Sequence, residues 1–247
     1  MIDVIRVKLP GGVKRFPMFT VKDYLSFLLT SADMEGKPPK EKLAMLDEIL
    51  DILYPGYSKT EQEYIFTKVY CSSFGKNAIK IYMKSKNGTS EGFLHITDYE
   101  LQNEYQIAEN IVLGFNFPRK RHMEASDLLE CMSYIIYDGT RHEWSGLDSF
   151  TKTNIMDLIE IDDIEKIMEM ITKSCHIVVR ENDFSNLLTL FTILFNKSDL
   201  NEFYKTNYLL NKNNIHIGSI MDASPMERSI YVALLAEELK RKAKENA

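Results

Sequence analysis

Apolar side chains at Ile2, Val4, Ile5, Val7 and Leu9 keep close to the two-residue period of a strand with one buried face. Pro10-Gly11-Gly12 reads as a turn into a second short strand, Val13 to Phe16. The period then lengthens. Tyr24, Leu25, Phe27, Leu28 and Leu29 form a helical stripe, preceded by Thr20 as a cap with Asp23 at the third helical position. Gly36-Lys37-Pro38-Pro39 breaks the chain. A second helix follows on Leu43, Leu46, Ile49, Leu50 and Leu53 and stops before Pro55-Gly56. Thr60 with Glu63 predicts the start of a third helix, carrying Tyr64, Ile65, Val69 and Tyr70 inward to a stop near Ser72-Ser73-Phe74-Gly75.

Alternation returns from Lys76 to Met83, Asn87-Gly88 supplies a turn, and Phe93, His95 and the stretch from Tyr105 to Phe117 read as further strands. Beyond Pro118-Arg119-Lys120-Arg121-His122 the spacing is helical: Leu128, Leu129 and Met132, then Ile155 to Ile159, then Ile164, Ile167, Met168 and Ile171. The run His176 to Val179 adds one short strand. Asp183 is placed to cap a helix from Leu187 to Phe195 that is apolar nearly all round, hence central to a core. Ser224-Pro225-Met226-Glu227 is the strongest helix start in the chain, with a capping serine, proline at the first position and glutamate at the third. Ile230, Tyr231, Leu234, Leu235 and Leu239 form its stripe, and Lys240, Arg241, Lys242 and Lys244 complement the negative end of its dipole. The predicted class is α+β: a mixed hairpin and helix domain over residues 1–118, then a mainly helical domain over 119–247.

With 247 residues, the chain is long enough to bury one large core or two modest ones, and its net charge of -6 argues against a protein built to coat nucleic acid or an anionic membrane. The basic tail is accounted for by the helix dipole. Cys71, Cys131 and Cys175 lie too far apart for a disulfide framework or a CxxC pair and read as reduced core thiols. The first residues carry Asp3, Arg6 and Lys8 and show no signal-peptide pattern, and the run around Leu187 is about half the length needed to span a bilayer. A soluble protein of the cell interior is expected. Twelve Met, thirteen Tyr and thirteen Phe beside one Trp suit adaptable contact surfaces.

Chemistry is sparse. The five histidines show no metal-pair spacing, and no Walker, G-x-S-x-G or G-x-G-x-x-G pattern occurs, so neither metal nor cofactor is expected. Tyr137 to Trp144 is the one cluster of reactive side chains. Asp138, His142 and Glu143 can serve a hydrolase only if the fold brings them within hydrogen-bond reach, whereas Asp138-Gly139 is also an ordinary turn pair and Trp144 an ordinary loop anchor. Arg119 and Arg121, with Lys120, could touch phosphates, yet Glu124, Asp127 and Glu130 follow and no aromatic residues are interleaved. The basic run fits a linker or the rim of a protein interface better than nucleic acid.

Several segments together resemble a known family. Val7-Lys8-Leu9-Pro10-Gly11-Gly12, then Arg15 to Tyr24 and Leu28-Leu29, is similar to the opening of the baseplate hub assembly proteins of T-even-type contractile-tailed phages. Glu63 to Val69, Ser73-Phe74-Gly75-Lys76 and Leu113 to Pro118 follow the same order, with a further echo in Ser224 to Arg228. The resemblance implies a late protein of tail morphogenesis without catalytic residues, acting as a non-enzymatic assembly chaperone or a permanent minor hub subunit. It also implies partners among the hub proteins and the tape-measure protein and a location in the host cell cytoplasm; the charge balance and apolar run lengths already argue against nucleic acid and a membrane span. Tyr24, Phe66 and Tyr70, together with Arg119, Arg121 and Trp144, are the candidate partner-binding residues; the helical spacing of the first three also suits burial in the chain's own core.

Overall fold

The computed structural model describes residues 4–76, 78–85, 88–95, 102–119, 124–175, 177–179, 182–184 and 187–245. Strands β1 (Val4–Leu9) and β2 (Gly12–Pro17) pair antiparallel as a hairpin, burying Val7, Leu9 and Phe16 on one face. Helix α1 (Val21–Asp33) begins with the expected reciprocal cap: Thr20 Oγ1 accepts from the Asp23 amide and Asp23 accepts from the Thr20 amide. Helix α2 (Pro39–Leu53) starts on proline and buries Leu46 and Leu50.

Helix α3 (Lys59–Phe74) is buried on nearly every side, including Ile65, Phe66, Val69 and Tyr70. Its cap is Ser58 with Glu61, two residues before the expected Thr60 and Glu63. Thr60 is engaged elsewhere: its hydroxyl donates to the buried carbonyl of Pro118 and ties α3 to the chain beyond it. Gly75 closes α3 at φ +60, a conformation glycine adopts without steric cost.

Two further hairpins are the pair β3 (Ala78–Ser85) with β4 (Gly88–His95) and, later, β9 (Ile177–Val179) with β10 (Asn182–Phe184). Asn87, expected in the first of these turns, lies outside the described residues. Between them β5 (Glu104–Ala108), β6 (Ile111–Phe115), β7 (Met132–Tyr137) and β8 (Thr140–Glu143) form one antiparallel sheet in chain order. The helix expected on Leu128, Leu129 and Met132 is a short turn only, α4 (Leu128–Cys131), and Met132 already opens β7. Asp138 and Gly139 join β7 to β8 with φ of 46 and 77, the left-handed pair that suits the twist of a tight hairpin.

Helices α5 (Ser149–Met156) and α6 (Ile161–Cys175) come next, with Tyr105 of β5 donating its hydroxyl to Asp163 of α6 at 2.8 Å. Asp183 lies in β10 opposite Val178, not at a helix cap. Helix α7 (Leu187–Leu194) carries the apolar run into the core as expected, and α8 (Ser198–Lys212), α9 (Ile217–Asp222) and α10 (Pro225–Glu245) complete the chain.

An α+β class holds, but the boundary expected at residue 118 does not separate two packed units. Strand β6 hydrogen-bonds β7 across it, and a single core runs from Val7 to Ile220. Its centre is aromatic. Phe19, Phe27 and Phe66 from the first half pack with Phe191 and Phe195 from the second, at ring separations of 5.0 to 6.4 Å. The sheet crosses the boundary and the rings interlock over it, so the two halves share one core. Among the described residues no helix is long and apolar enough to cross a membrane.

Candidate partner-binding surface

The residues singled out from the sequence are not gathered in one place. Phe66 is fully buried among Phe19, Phe27, Phe191 and Phe195, and Tyr70 stacks on Phe74 at 4.4 Å, so both serve the chain's own core and neither reaches its surface. Tyr24 is half-buried against Phe74, Phe195 and Phe203; burial, then the nearby Asp199, raises its phenol, with Arg228 pulling the other way. Trp144 is half-buried in a 3-10 turn (Trp144–Gly146) and packs on the core, with the Lys152 ammonium 5.7 Å from its ring centre. Arg119 is exposed beside a cleft that also includes Asp127 and Glu130; Arg121 lies outside the described residues.

Asp138, His142 and Glu143 do not converge. All three are exposed. Asp138 is a turn residue, whereas His142 and Glu143 are successive on β8 and therefore point to opposite faces, Glu143 accepting from Arg141 Nε at 2.9 Å. Burial pushes the Cys71 and Cys131 thiols up to about 11, in keeping with core positions. Cys175 is at the end of α6.

The surface that sequence reasoning missed is at the C-terminal helices. In α8, Phe203, Asn207 and Leu210 are buried. An asparagine in the middle of the stripe hides its period, and its reason is Arg228 of α10, whose Nε donates to Asn207 Oδ1 at 2.7 Å. The same guanidinium donates to the Phe203 carbonyl at 3.3 Å and lies 4.8 Å from the Phe203 ring centre. Burial lowers its pKa. The start of α10 is held twice more. Ser224 and Glu227 form the expected cap, and the Val21 amide at the start of α1 donates to the Ala223 carbonyl at 2.8 Å. Met226 packs its thioether against the end of α3, the Sδ standing 3.0 Å from where a Cβ on Gly75 would sit. Arg228→Ala leaves the Asn207 and Phe203 acceptors without their charged donor and is expected to cost about 2 kcal/mol. Calorimetry should register a Tm lower by roughly 6 °C.

Beyond this anchored end, α10 lays Val232 and Leu235 against the core. The rest of the stripe expected to face inward stands in solvent, with Ile230 50%, Tyr231 43%, Leu234 57% and Leu239 46% exposed. Tyr204, Tyr208 and Leu209 of α8 and Ile217 of α9 are exposed as well. Half of the exposed large apolar side chains among the described residues thus fall on about a fifth of the chain, where a scattered distribution is the ordinary case.

Comparison with known families matches these parts separately. Residues 1–185 match the model of the T4 bacteriophage base plate protein family, and residues 194–240 match the C-terminal domain of the baseplate hub assembly protein Gp51. The chain belongs to the phage baseplate hub assembly family. No curated protein and no solved structure matches it. The family similarity extends well past the motifs at residues 7–29, 63–76 and 113–118, and its second part coincides with the apolar-rich helices α8 to α10. This baseplate protein works in assembly of the tail hub alongside other baseplate proteins.

Proposed function

We propose that this baseplate protein is a non-enzymatic assembly chaperone of the tail hub. It binds hub proteins, and the tape-measure protein with them, in the host cell cytoplasm through α8 to α10 and leaves before the particle is finished. The observation that carries this reading is the concentration of exposed apolar side chains on the segment matched by the hub assembly C-terminal domain. Exposed apolar side chains interspersed with charged ones along α10 favour contacts with a polar rim, the kind that can be undone. Quantitative mass spectrometry of purified mature particles is the test: the protein should be abundant in infected-cell lysate and far below stoichiometric amounts in the particle. Stoichiometric recovery overturns the chaperone and makes it a permanent hub subunit.

A further inference from the structure

This inference rests on the reading of α8 to α10 as the partner surface and names what α10 takes. An α-helix turns about 100° per residue, so Met226, Ile230 and Leu234 share one edge of α10, which continues through Glu237 to Arg241 and Lys244. Lys240 borders the same edge, and all these side chains are exposed. Lys242 sits to the side and pairs with Glu238 at 2.6 Å. The edge is therefore apolar where the helix is held against the body and mainly cationic where it ends.

We propose that this edge docks an amphipathic helix of a partner protein, one whose apolar stripe is followed, a turn or two along, by acidic residues. Residues at alternating three- and four-position spacing form a seam that another helix fills, and the cations set which way that helix runs. A second copy of α10 has the wrong chemistry. Laid antiparallel, it sets Met226 and Ile230 against Arg241 and Lys244; laid parallel, it sets those cations against one another.

The test titrates the full chain, by fluorescence anisotropy, against two labelled helical peptides with the same apolar stripe, one ending in glutamates and the other in lysines. The glutamate peptide should bind at least about tenfold tighter at low salt, and the advantage should fade as salt rises. The K240E/R241E/K244E variant should reverse the preference. Equal binding, preference for the lysine peptide, stronger association with phosphatidylserine vesicles, or a dimer dissolved by L234Q overturns the proposal. Co-expression pull-down with the hub proteins separates this inference from the reading beneath it. Capture lost in I230Q/L234Q and weakened in the charge-reversed variant supports both. Capture lost in I230Q/L234Q but intact in the charge-reversed variant overturns the acidic helix alone. Capture intact in I230Q/L234Q overturns the partner surface itself.

Discussion

Phe195→Ala is expected to destabilise the protein by about 4 kcal/mol, the range for emptying a large aromatic site that cannot collapse. Phe195 is fully buried, and its ring meets Tyr24, Phe27, Phe66, Tyr70, Phe74 and Phe191, from helices α1, α3 and α7. Those neighbours come from both halves of the chain and are themselves held by other rings, so little can move in to fill the void. In urea the midpoint should fall with the slope unchanged, and in calorimetry Tm should drop by roughly 12 °C. Phe150→Ala makes the control: Phe150 is 75% exposed, and its loss should change stability by less than about 0.5 kcal/mol. Because the cluster joins the halves, wild type should unfold in one transition. Two transitions, with Phe195→Ala moving only one, would restore the division at residue 118.

Where the chain's local chemistry had a single solution, the sequence made it readable. Thr20 with Asp23 and Ser224 with Glu227 are both capped as their spacing demands. Around residue 60 the same signal is written twice, as Ser58 with Glu61 and as Thr60 with Glu63, and the choice falls to tertiary structure, because Pro118 needs the Thr60 hydroxyl. Strand β7 was hidden by an accident of spacing in Leu128, Leu129 and Met132; the β-branched pair Ile135-Ile136 before Asp138-Gly139 was the signal that could have revealed its hairpin. The partner surface was hidden for a different reason. A stripe reads the same whether its complement is the chain's own core or another protein, so Tyr70 and Leu234 look equivalent until the fold buries one and leaves the other wet.

Gly114→Ala tests the other buried joint, the outer face of the four-stranded sheet. A Cβ at Gly114 would stand 2.2 Å from Tyr134 Cζ and 2.4 Å from Cε1, far inside contact distance, because the tyrosine ring lies flat across the glycine from β7. The ring is not free to lift. Its hydroxyl donates to Glu104 Oε1 on β5 at 2.5 Å, and the Arg141 guanidinium from β8 stacks 3.6 Å from its centre. Burial, then the bond to Glu104, pushes the Tyr134 phenol up to about 12, so it remains a donor at neutral pH. One methyl group must therefore break a clamp that ties β5, β7 and β8 together across β6, and a loss of about 3 kcal/mol is expected. Tyr134→Ala removes the obstacle. In that background Gly114→Ala should cost nothing, or stabilise by about 0.5 kcal/mol through the stiffer backbone of alanine, giving a coupling energy near 3 kcal/mol in a double-mutant cycle. Additive effects would show that glycine is required at 114 for some reason other than the ring laid over it.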